Sequence, residues 1–104
     1  MTSLANTTWT LTLDGAEGYQ ATVTFGEAQY PTGGSGNFSD NQGANNSIYW
    51  VENTNDFMFQ MQNQDSSYTT LTTYTGHHAT GAGSGWSSNF SVNASTTGFS
   101  IIKA

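Results

Sequence analysis

Apolar and polar residues alternate with a period of two along most of this chain, and no segment sustains a helical period. In Thr8-Trp9-Thr10-Leu11-Thr12-Leu13, the three apolar side chains share one face and the three threonines the other. Tyr19-Gln20-Ala21-Thr22-Val23-Thr24-Phe25 repeats the pattern after the turn Asp14 to Gly18, so these two segments form a hairpin. Further strands are expected around Asn37 to Ser39, Ser47 to Glu52, Phe57 to Gln62, Tyr68 to Tyr74, Trp86 to Val92 and Phe99 to Ile102. The Gly- and Pro-bearing stretch Glu27 to Gly36 reads as a loop, and so does the Gly-rich stretch Gly76 to Gly85 that carries His77 and His78. About eight short antiparallel strands spanning one domain, residues 1–104, indicate an all-β fold. An up-and-down meander is expected, closed as a small barrel or packed as a sandwich.

Composition excludes several partners. Seven acids stand against one base, Lys103, for a net charge of −6. One lysine cannot displace the counterions of a nucleic acid or hold an anionic membrane surface. No apolar run approaches the ~20 residues of a membrane span. The first residues carry neither a basic nor an apolar leader segment, so a cytoplasmic chain or a trimmed secreted one is expected. Without cysteine there is no disulfide and no thiolate chemistry. Thr, Ser, Gly, Asn and Gln fill more than half the sequence, yet 13% aromatic residues spread along it argue for a folded core rather than disorder.

Few residues are suited to catalysis, and no enzyme is expected. His77 and His78 are adjacent, so on extended backbone they point apart and do not form one metal site. No Gly-x-Ser-x-Gly elbow occurs. Carboxylates for a glycosidase pair could come only from residues such as Asp40, Glu52, Asp56 or Asp65, and 104 residues leave little to build a cleft around them. The segments Asp40 to Asn46 and Glu52 to Asp56 are rich in oxygen ligands but lack the spacing of a calcium loop, and they read as turns. Gly81 to Gly85 is followed by no helix and is no phosphate cradle. No metal and no cofactor are expected.

Neutral polar ligands suit the remaining surface. Aromatic faces stack on the C–H face of a sugar ring, while Asn and Asp bond its vicinal hydroxyls. The candidate binding residues are Tyr30, Trp50, His77, His78, Trp86 and Asn89, with Asp40, Asn45 and Asn46 in a neighbouring turn. The first expectation is therefore a non-catalytic, lectin-like protein that binds glycans. Ile48-Tyr49-Trp50-Val51 is apolar on both faces, which points to a homo-oligomer.

The opening Leu4-x-x-Thr7-x-Trp9, the eight meandering strands and the closing Gly98-Phe99 strand resemble the calycin barrels, the lipocalin and avidin type. The resemblance implies that Trp9 plugs one end of a barrel. The residues before Trp9 are Asn6, Thr7 and Thr8 rather than Gly-x, and no arginine is present to back the indole. On this plan the alternative function is binding of a small apolar or aromatic ligand in the lumen, with Phe57, Phe59, Met61, Tyr68 and Tyr74 lining it. A third expectation is a structural or adhesive surface protein whose outward threonines form a flat array.

Overall fold

Eight antiparallel strands close on themselves in the computed structural model, which describes residues 3–64, 69–90 and 95–104. They are β1 (Thr7–Leu13), β2 (Ala21–Tyr30), β3 (Gly33–Asp40), β4 (Asn45–Asn53), β5 (Asp56–Gln64), β6 (Thr69–Ala79), β7 (Ala82–Phe90) and β8 (Ser95–Lys103). Each strand pairs with the next, and β8 returns to β1 with Leu11 opposite Ile101. The meander is thus a barrel, and closure leaves no exposed sheet edge.

Alternation decides what lies inside. Trp9 and Leu11 of β1, Ala21, Val23 and Phe25 of β2, Phe57, Phe59 and Met61 of β5, and Phe99 and Ile101 of β8 are all buried. The lumen of an eight-stranded barrel is just wide enough for side chains to fill, and here aromatic rings fill its middle. Phe59 stacks on Tyr74 at 4.6 Å between centroids and meets Phe25 edge-on at 5.6 Å. Tyr68, the other residue expected in the lumen, lies outside the described residues, as do Asp65 and Val92.

Two stretches expected to be loops are strands joined by tight turns. β2 runs to Tyr30 and β3 begins at Gly33; β6 runs to Ala79 and β7 begins at Ala82. Glycine is a poor strand former on an open sheet, but a narrow barrel needs it where strands curl sharply inward. A Cβ at Gly36 would lie 2.0 Å from the Thr24 carbonyl oxygen, and one at Gly85 would lie 2.0 Å from that of Thr75. Only glycine admits that approach. His77 and His78 are accordingly strand residues, with His77 outside and His78 inside.

The two ends differ. At one, here called the floor, Leu4 is fully buried and its backbone N–H donates to the Glu52 carboxylate at 3.0 Å. Trp9 is fully buried there too, and its indole N–H donates to Thr7 Oγ1 at 2.8 Å. Trp9 meets His78 edge-on at 5.6 Å. The other end, the mouth, receives the β1–β2 connection and the turn between β3 and β4.

Candidate functional site

Inward positions change character toward the mouth. On β4 the inward series is Trp50, Ile48, Asn46; on β7 it is Gly85, Ser87, Asn89; on β6 it is Tyr74 followed by Thr72. Apolar filling thus gives way to hydroxyls and amides, and these line a cavity of about 240 Å³. Tyr74 and Phe38 form its base, 5.7 Å apart, while Tyr19 and Asp40 stand on one side and Asn46, Asn89 and Thr97 on the others.

Asp40 organises this rim. Its Oδ1 accepts from the backbone N–H groups of Gln42 at 2.9 Å and Ala44 at 2.8 Å, and its Oδ2 accepts from the Tyr19 hydroxyl at 3.0 Å. Desolvation pushes the carboxyl up, but the Ala44, Gln42 and Tyr19 donors outweigh it and hold Asp40 below the usual carboxylate range. Burial raises the Tyr19 phenol, helped by its hydrogen bond to Asp40. Burial likewise raises Tyr74, with Ser87 opposing and the Asp40 charge adding. At neutral pH the described lining of this cavity therefore holds the ionised Asp40 carboxylate and two neutral phenols.

Asn89 is the least satisfied group there. Its Nδ2 donates to Thr72 Oγ1 at a long 3.4 Å, and its Oδ1 is buried without a partner among the described residues. An unpaired buried amide oxygen costs about 1–3 kcal/mol, which a ligand N–H or O–H would recover. Asn46 spends its amide on a weak 3.7 Å contact to Met61 Sδ.

Of the nine residues expected to bind ligand, Asp40, Asn46 and Asn89 meet at this cavity. Asn45 lies beside them but is exposed. The other five are elsewhere, and two of them are buried rather than exposed on loops or strand ends. Trp50 is core: only 2% exposed, it packs edge-on against Phe25 and donates its indole N–H to the Ser35 carbonyl at 3.1 Å. His78 is also core, between Trp9 and Phe57, with both ring nitrogens buried and unpartnered among the described residues. An inward strand position in a narrow barrel buries whatever side chain occupies it. His77 is exposed and faces Asp56 at 3.0 Å, an exposed pair of small energetic weight. Tyr30 is exposed at the β2–β3 turn, near the floor. Trp86, 64% exposed, stands on the outer wall in register with Thr75 and Gly98.

The turn Asp40 to Asn46 satisfies its own backbone with the Asp40 carboxylate, whereas Glu52 holds the N-terminal segment and Asp56 faces His77. Tyr19, Thr72, Ser87 and Thr97 are not among the expected site residues, and Tyr74, like Met61, is expected only as lining of an apolar lumen. Their signal is the polar turn taken by the inward series near one end of β6 and β7, which becomes a site only once the register around the barrel is known. The chain matches no family model, no curated protein and no solved structure.

Proposed function

We propose that this protein is a non-catalytic carbohydrate-binding barrel that holds one sugar ring at its mouth. The observation that carries this reading is the buried, unpartnered Asn89 Oδ1 in the wall of a cavity otherwise lined by the Asp40 carboxylate, the Asn46 amide, phenols and hydroxyls. Such a set can pair with several hydroxyls of one ring, while Phe38 and Tyr74 offer it an apolar base. The volume suits a small ring rather than an extended ligand.

The alternative, an apolar ligand deep in the lumen, has less support because Phe25, Phe57, Phe59 and Tyr74 already pack against one another there. A calycin-type architecture belongs to the same proposal, supported by Trp9 buried at the floor. So does self-association: Tyr49 and Val51 are exposed on the outer wall of β4 and Trp86 on that of β7, where a second copy would cover them.

A glycan array tests the reading. The labelled protein should select one class of glycan, and Asn89→Ala should weaken that signal by roughly tenfold, the value of one or two hydrogen bonds. Trp86→Ser should leave it intact. A blank array from folded protein contradicts the proposal, and so does a signal lost with Trp86→Ser but kept with Asn89→Ala.

A further inference from the structure

Among its described residues the mouth carries no cation. Asn89 Nδ2 is engaged with Thr72, Asn46 Nδ2 with Met61 and the Tyr19 hydroxyl with Asp40, and the other donors of the lining are the neutral hydroxyls of Thr72, Tyr74, Ser87 and Thr97. Asn89 Oδ1 is buried in the cavity wall with no donor among the described residues. Asp40 Oδ1 takes two backbone N–H groups, but Oδ2 takes only the Tyr19 hydroxyl, so one of its lone pairs has no donor among the described residues. Exposed Asp14 and Glu17 lie on the β1–β2 connection at the same end. Lys103 lies at the floor, its backbone N–H bonded to the Gly81 carbonyl. An anionic sugar would thus meet carboxylates and no base. An ammonium group offers three donors and no acceptor, which complements this set, and the rings of Tyr19, Phe38 and Tyr74 line the same cavity to receive a cation.

We propose that the mouth selects a ring bearing a free, protonated amine, an amino sugar, whose ammonium bonds Asp40 Oδ2 and Asn89 Oδ1. This rests on the reading of the mouth as a sugar site and names the class of sugar. It also implies discrimination against the N-acetylated form, whose amide carries no charge, and against uronic or phosphorylated sugars.

Calorimetric titration of the full chain with glucosamine, glucose and N-acetylglucosamine at about pH 6 and low salt tests it. Glucosamine should bind at least about tenfold tighter than glucose, the usual value of making a hydrogen bond charge-assisted. The advantage should shrink in about 0.5 M salt. It should vanish near pH 9.5, above the pKa of about 8 expected for such an amine. Asp40 stays ionised and Tyr19 stays neutral across that range, and burial shifts the Tyr74 phenol upward, away from it, so the change follows the charge of the ligand. Asp40→Asn should bring the glucosamine-to-glucose affinity ratio close to one, whatever it does to glucose binding itself. If that variant does not fold, the pH comparison on the unaltered chain decides alone. Equal affinity for glucosamine and glucose, or tightest binding of N-acetylglucosamine, overturns the amine assignment and leaves the mouth as a sugar site. Binding of none of the three overturns the sugar site itself.

Discussion

His78 is a titratable ring sealed into the floor. It lies between Trp9 and Phe57, with the Glu52 carboxylate on the neighbouring inward position of β4 and His77 next to it in the chain. Desolvation lowers its pKa below 6.5; Glu52 pulls upward and His77 pushes downward, and burial prevails. The unfolded chain therefore binds a proton that the folded chain refuses, so stability is full above about pH 6.5 and falls as the pH drops below it. Urea midpoints measured at about pH 7.5 and about pH 5.5 should reveal this loss. His78→Phe, which keeps an aromatic ring against Trp9, should flatten the difference. An unchanged difference would mean that His78 is not the group responsible. Glu52 has a second task here, because its carboxylate accepts from Leu4 N–H and the Ser3 hydroxyl and so pins the N-terminal segment across the floor.

At the scale of elements, the hairpin between β6 and β7 carries a visible cost. Its two central residues, Thr80 and Gly81, both have positive φ, 50° and 82°. A turn with two left-handed residues matches the twist of the strands it joins, but a β-branched side chain fits that conformation poorly. Thr80→Asn should raise stability by about 1 kcal/mol, since Asn-Gly is the preferred pair for such a turn. Thermal unfolding would check it; a lower midpoint would mean that the Thr80 side chain does something the turn geometry hides. The same hairpin shows where sequence reading reaches its limit. Strict alternation in Trp9-x-Leu11-x-Leu13 and Phe57-x-Phe59-x-Met61 makes those strands legible without a structure, because a two-residue period has one physical meaning there. Gly76 to Gly85 gives no such signal. Its inward positions are Gly83 and Gly85 on β7 and Gly76 and His78 on β6, so the face that should look apolar looks like a turn. The reason is crowding: Gly76 makes room for the Phe57 and Phe99 rings, whose Cζ atoms would sit 3.0 and 3.1 Å from a Cβ there. Such a requirement comes from side chains on β5 and β8 that fill the same stretch of lumen, and it leaves no mark in the local pattern.

For the molecule as a whole, closure creates the cavity that is the candidate site. Asp40 and Asn46 flank the β3–β4 turn while Asn89 lies far along the chain on β7, and the three share a cavity only because each strand pairs with its neighbours in one register around the ring. Asp40 and Asn46 were recognisable as neighbours in one turn, and Asn89 as a polar residue on a late strand. Their meeting, and the recruitment of Tyr19 and Tyr74, depend on barrel geometry. Trp50 illustrates the converse, since nothing in Ile48-Tyr49-Trp50-Val51 says which face turns inward. The structure puts Ile48 and Trp50 in the core and leaves Tyr49 69% exposed on the outer wall. On the proposal above, ligand binds at the mouth and the aromatic outer wall takes no part. Backbone amide chemical-shift mapping of the full chain, titrated with glucosamine, tests this most directly. The shifts should concentrate at Tyr19, Asp40, Asn46, Thr72 and Asn89 and spare Tyr49, Val51 and Trp86. Shifts confined to that outer group, or no shift anywhere at saturating ligand, would contradict it.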